Sequence, residues 1–321
     1  MKKGGLHAVA VVGPTASGKS ALSLSIADAL EKQGGPPVEL LCCDSVQVYR
    51  GFDIGTAKPS PEERRRRPHH LLDVADPSTQ FDAAAWARVA RQVISEIIAR
   101  GALPVIVGGT GLYFRALRQG IFDAPRPDLE IRRRHRESAD QMGLPALHAE
   151  LARVDPESAA RVSPTDLVRI SRALEIYEQT GTAMSVLWKL SRPADPIDTL
   201  TVLMDPPLDV LRLRIAERTA AMLAAGLVEE VTALRQVVPA DARCLQSIGY
   251  REVGQMLDGV LPLEALETEI SRNTAAFARR QRTWFRKERV DRRLESADTD
   301  RNPKEIEEIA GAIQHWLRAP S

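Results

Sequence analysis

The stretch Leu6-His7-Ala8-Val9-Ala10-Val11-Val12-Gly13-Pro14-Thr15-Ala16-Ser17-Gly18-Lys19-Ser20 decides the fold. Leu6 to Val12 is a short apolar run rich in valine, the pattern of a buried strand. Gly13 to Ser20 matches G-x-x-x-x-G-K-[ST]. The glycines let the backbone wrap closely around an anion, and the N–H groups and the helix N-terminus that follow supply positive partial charge. Gly13, Pro14, Thr15, Ala16, Ser17, Gly18, Lys19 and Ser20 are therefore the expected diphosphate- or nucleotide-binding residues. Lys19 adds a full charge, and the Ser20 hydroxyl is the expected protein ligand for Mg²⁺. Leu22, Ile26 and Leu30 then recur at helical spacing. The motif leaves its occupant open: ATP is usual, and a diphosphate ester fits the same cradle.

Outward from this point, strand and helix alternate. Val38 to Cys43 is a second apolar run and ends at Asp44. Trp86, Val89, Val93, Ile94, Ile97 and Ile98 mark one face of an amphipathic helix, with Gly101 placed to stop it. Leu103 to Val107 is a third strand, ending in Gly108-Gly109-Thr110-Gly111. Leu200 to Met204 is a fourth, ending at Asp205. This order predicts an α/β fold: a P-loop NTPase-like parallel sheet flanked by helices. Ligands in such sheets lie beyond the carboxyl ends of the strands, so Gly13 to Ser20, Asp44 to Tyr49 and Gly108 to Tyr113 are expected to converge. Between them the character changes: residues 126–197 read as a helical insertion. The expected layout is a P-loop catalytic core of residues 6–125 and 198–293, that insertion, and a C-terminal tail of residues 294–321 with a short helix.

Composition narrows the class. Hydrophobic residues make up 44% of the 321-residue chain, and the formal net charge is +1. No apolar run is long enough to span a bilayer. Met1-Lys2-Lys3-Gly4-Gly5-Leu6-His7 lacks the h-region of a secretory signal, so a cytoplasmic location is expected. Cys42, Cys43 and Cys244 fit neither a disulfide framework nor a zinc site. Positive charge is clustered at Arg64 to Arg67, Arg132 to Arg136 and Arg279 to Arg293, and patches create local fields in a chain of near-neutral total. Arg64 to Arg67 reads as a solvated charge run.

Two further features carry chemistry. Asp44, at a strand's carboxyl end, is placed to bind Mg²⁺, to act as a general base, or to cap a turn. Gly108 to Tyr113 forms a second glycine-rich nest, with the Thr110 hydroxyl a donor to a phosphate oxygen. The third strand ends in Gly-Gly where many NTPases carry an aspartate. Asp205 is either a metal ligand or a turn residue.

A set of blocks, in order, resembles one family, the tRNA dimethylallyltransferases (adenosine isopentenyltransferases), over roughly residues 8–293. After Gly13 to Ser20 come Asp44-Ser45-Val46-Gln47-Val48-Tyr49-Arg50-Gly51 and Asp53-Ile54-Gly55-Thr56-Ala57-Lys58-Pro59. His69-His70-Leu71-Leu72-Asp73 and Gly108 to Tyr113 follow. Then come Arg169-Ile170-Ser171-Arg172-Ala173-Leu174-Glu175, Ile248-Gly249-Tyr250-Arg251-Glu252 and Arg279-Arg280-Gln281-Arg282-Thr283-Trp284-Phe285-Arg286. The resemblance implies transfer of a dimethylallyl group from dimethylallyl diphosphate to N6 of the adenosine 3′-adjacent to the anticodon in certain tRNAs, with release of diphosphate. It implies Asp44 as the base and Thr110 as a second catalytic group, with Arg214 and Arg218 reaching the diphosphate. It also implies a tRNA-binding set: Asp44, Ser45, Val46, Gln47, Thr110, Arg132, Val168, Arg169, Ile170, Ser171, Arg172, Gln246, Ser247, Ile248, Gly249, Tyr250, Arg251, and Arg279 through Arg286. Trp284 and Phe285 either stack on bases or pack in a helix core. Mg²⁺ is the expected cofactor and the anticodon stem-loop the expected partner, with the chain acting as a monomer and no membrane involved. One departure is Asp82, where a small hydroxyl residue is expected. A small-molecule kinase and a nucleotide-sensing RNA-binding module remain alternatives. The first would need ATP turnover on a metabolite, and the second leaves Asp44 and Thr110 without a purpose.

Overall fold

A computed structural model describes residues 5–122, 124–190, 196–295 and 303–319. The chain divides into two compact units, Met1–Arg118 with Asp195–Ser321, and Gln119–Ala194.

The first unit is built on a sheet of six parallel strands: β1 (His7–Val12), β2 (Val38–Cys43), β3 (His69–His70), β4 (Leu103–Gly108), β5 (Asp198–Met204) and β6 (Arg292–Leu294), in the order β3-β2-β4-β1-β5-β6. β1 is central and wholly buried, with Val9 in register between Val105 and Leu200. That burial on both faces is why β1 reads as a continuous valine-rich run rather than an alternating one. The helices α1 (Lys19–Lys32), α2 (Pro61–Arg66), α3 (Ala83–Ala99) and α4 (Gly111–Gln119) follow the first strands. Leu22, Ile26, Ala27 and Leu30 of α1 are buried against Val9, Val11, Val105 and Val202. Asp82 caps α3, its Oδ1 accepting the N–H groups of Ala84 and Ala85 at 3.0 Å each. Aspartate serves as well as serine or threonine at an N-cap, so the departure at Asp82 leaves the local geometry intact.

The second unit contains α5 (Leu129–Met142), α6 (Leu144–Val154), α7 (Pro156–Ala159), α8 (Leu167–Thr180) and α9 (Met184–Leu190). Leu147, Leu151, Ile170, Ala173 and Leu174 form its core. Glu175 is fully buried and is held by Arg132 at 3.0 Å and Arg172 at 2.6 Å, with the Asp128 N–H at 2.6 Å. Burial raises its carboxyl pKa, but the two arginines and that N–H outweigh it and hold the group below its ordinary value.

After β5 the first unit continues with α10 (Leu208–Ala224), α11 (Leu227–Val237), α12 (Tyr250–Leu257), α13 (Leu266–Phe285) and α14 (Pro303–Arg318). Two expectations are corrected here. The sheet gains two short edge strands, β3 and β6, because both histidines of β3 and a run of arginines in β6 hide the pattern. Second, Arg64 to Arg67 is not uniformly solvated. Arg67 is buried, donating to Glu31 at 2.6 Å, Asp28 at 3.0 Å and the Val38 carbonyl at 3.2 Å, while Arg64 pairs with Asp73 at 2.8 Å and Arg66 with Asp28 at 2.7 Å. A run of like charges still finds carboxylates when a turn lays it along a neighbouring helix. The short helix expected within residues 294–321 is α14, and its Ile309, Ala310, Ile313 and Leu317 are buried in the same core as α1.

Because α14 completes the core around α1, Ile313→Ala should lower the unfolding free energy by about 2–5 kcal/mol. The exposed Glu307→Ala should change it by less than about 0.5 kcal/mol. Urea titration of both variants measures the difference, and equal midpoints would contradict the docking of α14.

Candidate active site

The turn after β1 sets the site. Gly13 has φ +149°, and a Cβ there would come within 2.3 Å of the Met204 carbonyl oxygen, so only glycine lets β1 hand over to the loop beside β5. Gly18, at φ +87°, precedes α1 and leaves its first N–H groups open for an anion. Lys19 Nζ turns back onto the Pro14 carbonyl at 2.5 Å. Its pKa is lowered to about 8, first by burial and then by the neighbouring Arg218, with Asp44 pulling the other way. Burial also lowers the pKa of Arg218, against the pull of Asp44.

A cavity of about 340 Å³ opens over the P-loop, lined by Thr15, Ala16, Gly18, Lys19, Ser20, Asp44, Gln47, Arg214 and Arg218. Ser20, the expected Mg²⁺ ligand, is on its wall. A second cavity of about 360 Å³ shares Thr15, Asp44, Thr56, Arg218 and Phe277 with it and extends along Met222, Ile248, Ile270 and Arg280. Asp44 and Arg218 thus stand on a wall common to both. The carboxylate of Asp44 also caps its own turn: Oδ1 accepts from Val46 N at 2.8 Å and Gln47 N at 3.2 Å. Oδ2 has no hydrogen-bond partner among the described residues, so capping and a cavity-facing role are compatible.

Thr110 occupies a different wall. Its Oγ1 accepts the Ser45 N–H at 3.2 Å, and it lines a third cavity with Tyr49, Asp82 and Tyr113 that meets the second along Ser45, Val46, Gln246 and Ser247. Asp205 is neither a free metal ligand nor a simple turn residue. It is buried and paired with Arg282, with Arg293 at 3.3 Å and with Arg286 at 3.7 Å.

The sequence blocks hold residues of unlike placement. On α13, Arg279, Arg280 and Thr283 are exposed, as is Arg286 at its C-cap, whereas Gln281 and Phe285 are buried. The core alternative therefore holds for Phe285. Trp284 packs closely against Gly111, with the Arg115 guanidinium over its ring, 4.1 Å from the centroid. Tyr250 is buried with its hydroxyl on Glu230 at 2.6 Å, while Gln246, Ser247, Ile248, Gly249 and Arg251 line the second cavity. In the second unit Val168 and Arg169 are exposed, Ile170 lies in the core, and Ser171 bonds the buried His135 ring at 3.0 Å.

Two supporting residues had no role assigned from the sequence. Glu230 accepts the N–H groups of Asp53, Ile54 and Gly55 at 3.2, 2.7 and 3.2 Å, which seats the loop carrying Thr56 against the cavities. Lys58, almost wholly buried, donates to Asp53 at 2.6 Å, Asp73 at 2.7 Å and the Tyr49 carbonyl at 2.9 Å. Lys58 was visible inside a family block. Glu230 gave no signal, because one glutamate on an amphipathic helix looks like any other.

Comparison with known proteins adds independent findings. Residues 47–288 match the family model described as IPP transferase. The chain is 47% identical over 280 residues to tRNA dimethylallyltransferase 1 of Trichlorobacter lovleyi, covering 87% of this chain and 90% of that one. It is 44% identical over 310 residues to the tRNA dimethylallyltransferase of Symbiobacterium thermophilum, covering 96% and 95%. Among solved structures, the full-length tRNA isopentenylpyrophosphate transferase of Bacillus halodurans superposes with a TM-score of 0.69 at 36% identity, covering 97% of both chains. A eukaryotic dimethylallyltransferase acting on tRNA superposes at 0.66 with 26% identity, covering 87% of this chain and 69% of that one.

The lowered pKa of Lys19 gives a signed expectation. Its ammonium is lost as pH rises through about 8, so pyrophosphate affinity should fall about tenfold more between pH 7 and 9 in the wild type than in Lys19→Arg, which stays charged. Calorimetric titration of both proteins reads the difference, and parallel pH profiles would remove Lys19 from the cradle.

Proposed function

The chain belongs to the IPP transferase family and transfers a dimethylallyl group to tRNA; we propose that the donor is dimethylallyl diphosphate and the acceptor N6 of the adenosine 3′-adjacent to the anticodon. The observation that carries this reading is the common wall. Asp44 and Arg218 line both the P-loop cavity and the cavity beside it, so a leaving diphosphate and an incoming nucleophile would meet at one carboxylate.

In this reading the C1–O bond of the donor breaks as the N6–C1 bond forms. The electron pair leaves with diphosphate, and the N6 proton passes to Asp44. An arylamine is a weak nucleophile, so a positioned base matters. The P-loop N–H groups, Lys19, Arg214 and Arg218 meet the charge that develops on the diphosphate. Mg²⁺ would be held by the Ser20 hydroxyl together with diphosphate oxygens and water, the usual ligand set for this small hard cation; it supplies further neutralisation of the leaving group. Thr110, holding the turn that follows Asp44 through Ser45 N, would position the acceptor side. The target base must leave its stack to reach Asp44.

The exposed face of α13, Arg279, Arg280, Thr283 and Arg286, supports phosphate contacts with the anticodon stem-loop, and Gln246 to Arg251 supports contacts near the acceptor cavity. Arg132 and Val168 to Arg172 enter the reading through the family. There Arg132 and Arg172 brace Glu175, Ile170 and Ser171 contribute only through the helix they hold, and Val168 and Arg169 offer exposed side chains. Every group in the proposed reaction comes from one chain, which supports a monomer. No helix among the described residues is long and apolar enough to cross a membrane, and a tRNA substrate supports a cytoplasmic site of action.

Incubation with Mg²⁺, dimethylallyl diphosphate and an unmodified anticodon stem-loop should yield prenylated adenosine by mass spectrometry. Asp44→Asn should lower kcat by about 100-fold or more with stem-loop affinity retained. Full activity in that variant would remove Asp44 from the base role. Replacing Arg279 and Arg280 with alanine should weaken stem-loop binding and reduce the slope of log K against log salt by about 1 to 2. An unaltered slope would point those arginines away from RNA.

A further inference from the structure

Gln281 sits among the arginines of α13, yet it faces inward. It is 7% exposed and lines the P-loop cavity. Its Oε1 accepts the N–H of Thr15 at 2.8 Å, and its Nε2 donates to the carbonyl of Gly109 at 2.9 Å. One carboxamide therefore ties the P-loop to the glycine-rich loop that follows β4. A Cβ on Gly109 would lie 2.4 Å from that Nε2, so glycine leaves the room the amide fills. Thr15 is gripped a second time, its Oγ1 accepting from Arg218 at 2.8 Å. The first turn of the P-loop is thus fixed through its backbone by α13 and through its side chain by α10.

The two contacts demand opposite polarities in fixed order, an acceptor toward Thr15 and a donor toward Gly109. Glutamine meets both. A carboxylate would set lone pairs against the Gly109 carbonyl and add negative charge to a cavity that must receive an anion. A thioether of similar volume would leave both backbone groups unpaired.

We propose that Gln281 is a positioning residue for the prenyl donor, holding the P-loop in the conformation that presents Lys19 and Ser20 to the diphosphate, rather than an RNA contact. This role rests on the reading of Gly13 to Ser20 as a diphosphate cradle. It separates the functions of two faces of one helix: Arg279 and Arg280 outward, Gln281 toward the donor.

The test uses full-length Gln281→Met and Gln281→Glu, with Mg²⁺-pyrophosphate as the calorimetric probe and steady-state kinetics in donor and in stem-loop. In Gln281→Met, the donor KM and the pyrophosphate Kd should rise about tenfold while the stem-loop KM stays within about twofold. Gln281→Glu should show a larger donor defect with the same split. Wild-type donor constants in either folded variant would overturn the role. So would an equal rise in both KM values, which would mark general packing, or failure of both variants to fold. A wild-type protein that binds no pyrophosphate would overturn the cradle reading itself, and this role with it.

Discussion

Positive charge held in a confined space is the constraint on which the rest of the site depends. Lys19 and Arg218 face one cavity, and burial disfavours both charges. Two like charges in a low-dielectric setting repel, and Asp44 offsets them only in part. Such a cavity favours a polyanion that brings more negative charge than one carboxylate supplies. A diphosphate meets that need. In the proposed reaction its departure, with one more negative charge than the ester carried, would be favoured by groups already in place, with no reorganisation at the moment of bond breaking.

Holding two cations together requires a rigid frame, and the frame is made of long-range contacts. The P-loop leaves β1 beside Met204 of β5, where a side chain at Gly13 would collide. α13 crosses nearby: Gln281 bonds Thr15 and Gly109, and Arg282 neutralises the buried Asp205 at the end of β5. Glu230 and Lys58 seat the loop from Asp53 to Lys58, whose Thr56 lines both cavities, and Gln47 joins it through the Thr56 carbonyl at 2.9 Å. These anchors keep Asp44 and Arg218 on a wall common to two cavities.

Some of this was legible in the residue order. Four of the six strands, the amphipathic α3, the helical character of residues 129–190 and the P-loop all follow from local pattern, because valine-rich runs, helical spacing and glycine turns are short-range signals. Asp44 was visible as a candidate because it ends an apolar run beside the P-loop, but Asp205 ends another such run and is paired with arginines, so position at a strand end does not by itself assign a role. The edge strands were hidden, as two or three residues are too few to show a period. The docking of α14 was hidden for another reason: an amphipathic helix announces that it has an apolar face but not which partner covers it.

By itself the sequence determined the chemistry available: a cradle for phosphate, a carboxylate at a strand end, and basic residues on a late helix, arranged in blocks resembling one family of tRNA-modifying enzymes. Only the tertiary structure decided which members of those blocks meet. It turned Gln281 inward and Arg280 outward, buried Phe285, paired Asp205 with arginines, and gave Thr110 a wall apart from the P-loop cavity. Local pattern fixes backbone conformation within a few residues, whereas these roles depend on contacts between residues as distant in sequence as Thr15 and Gln281. Such contacts exist only once the sheet has closed and brought the carboxyl ends of its strands beneath α13.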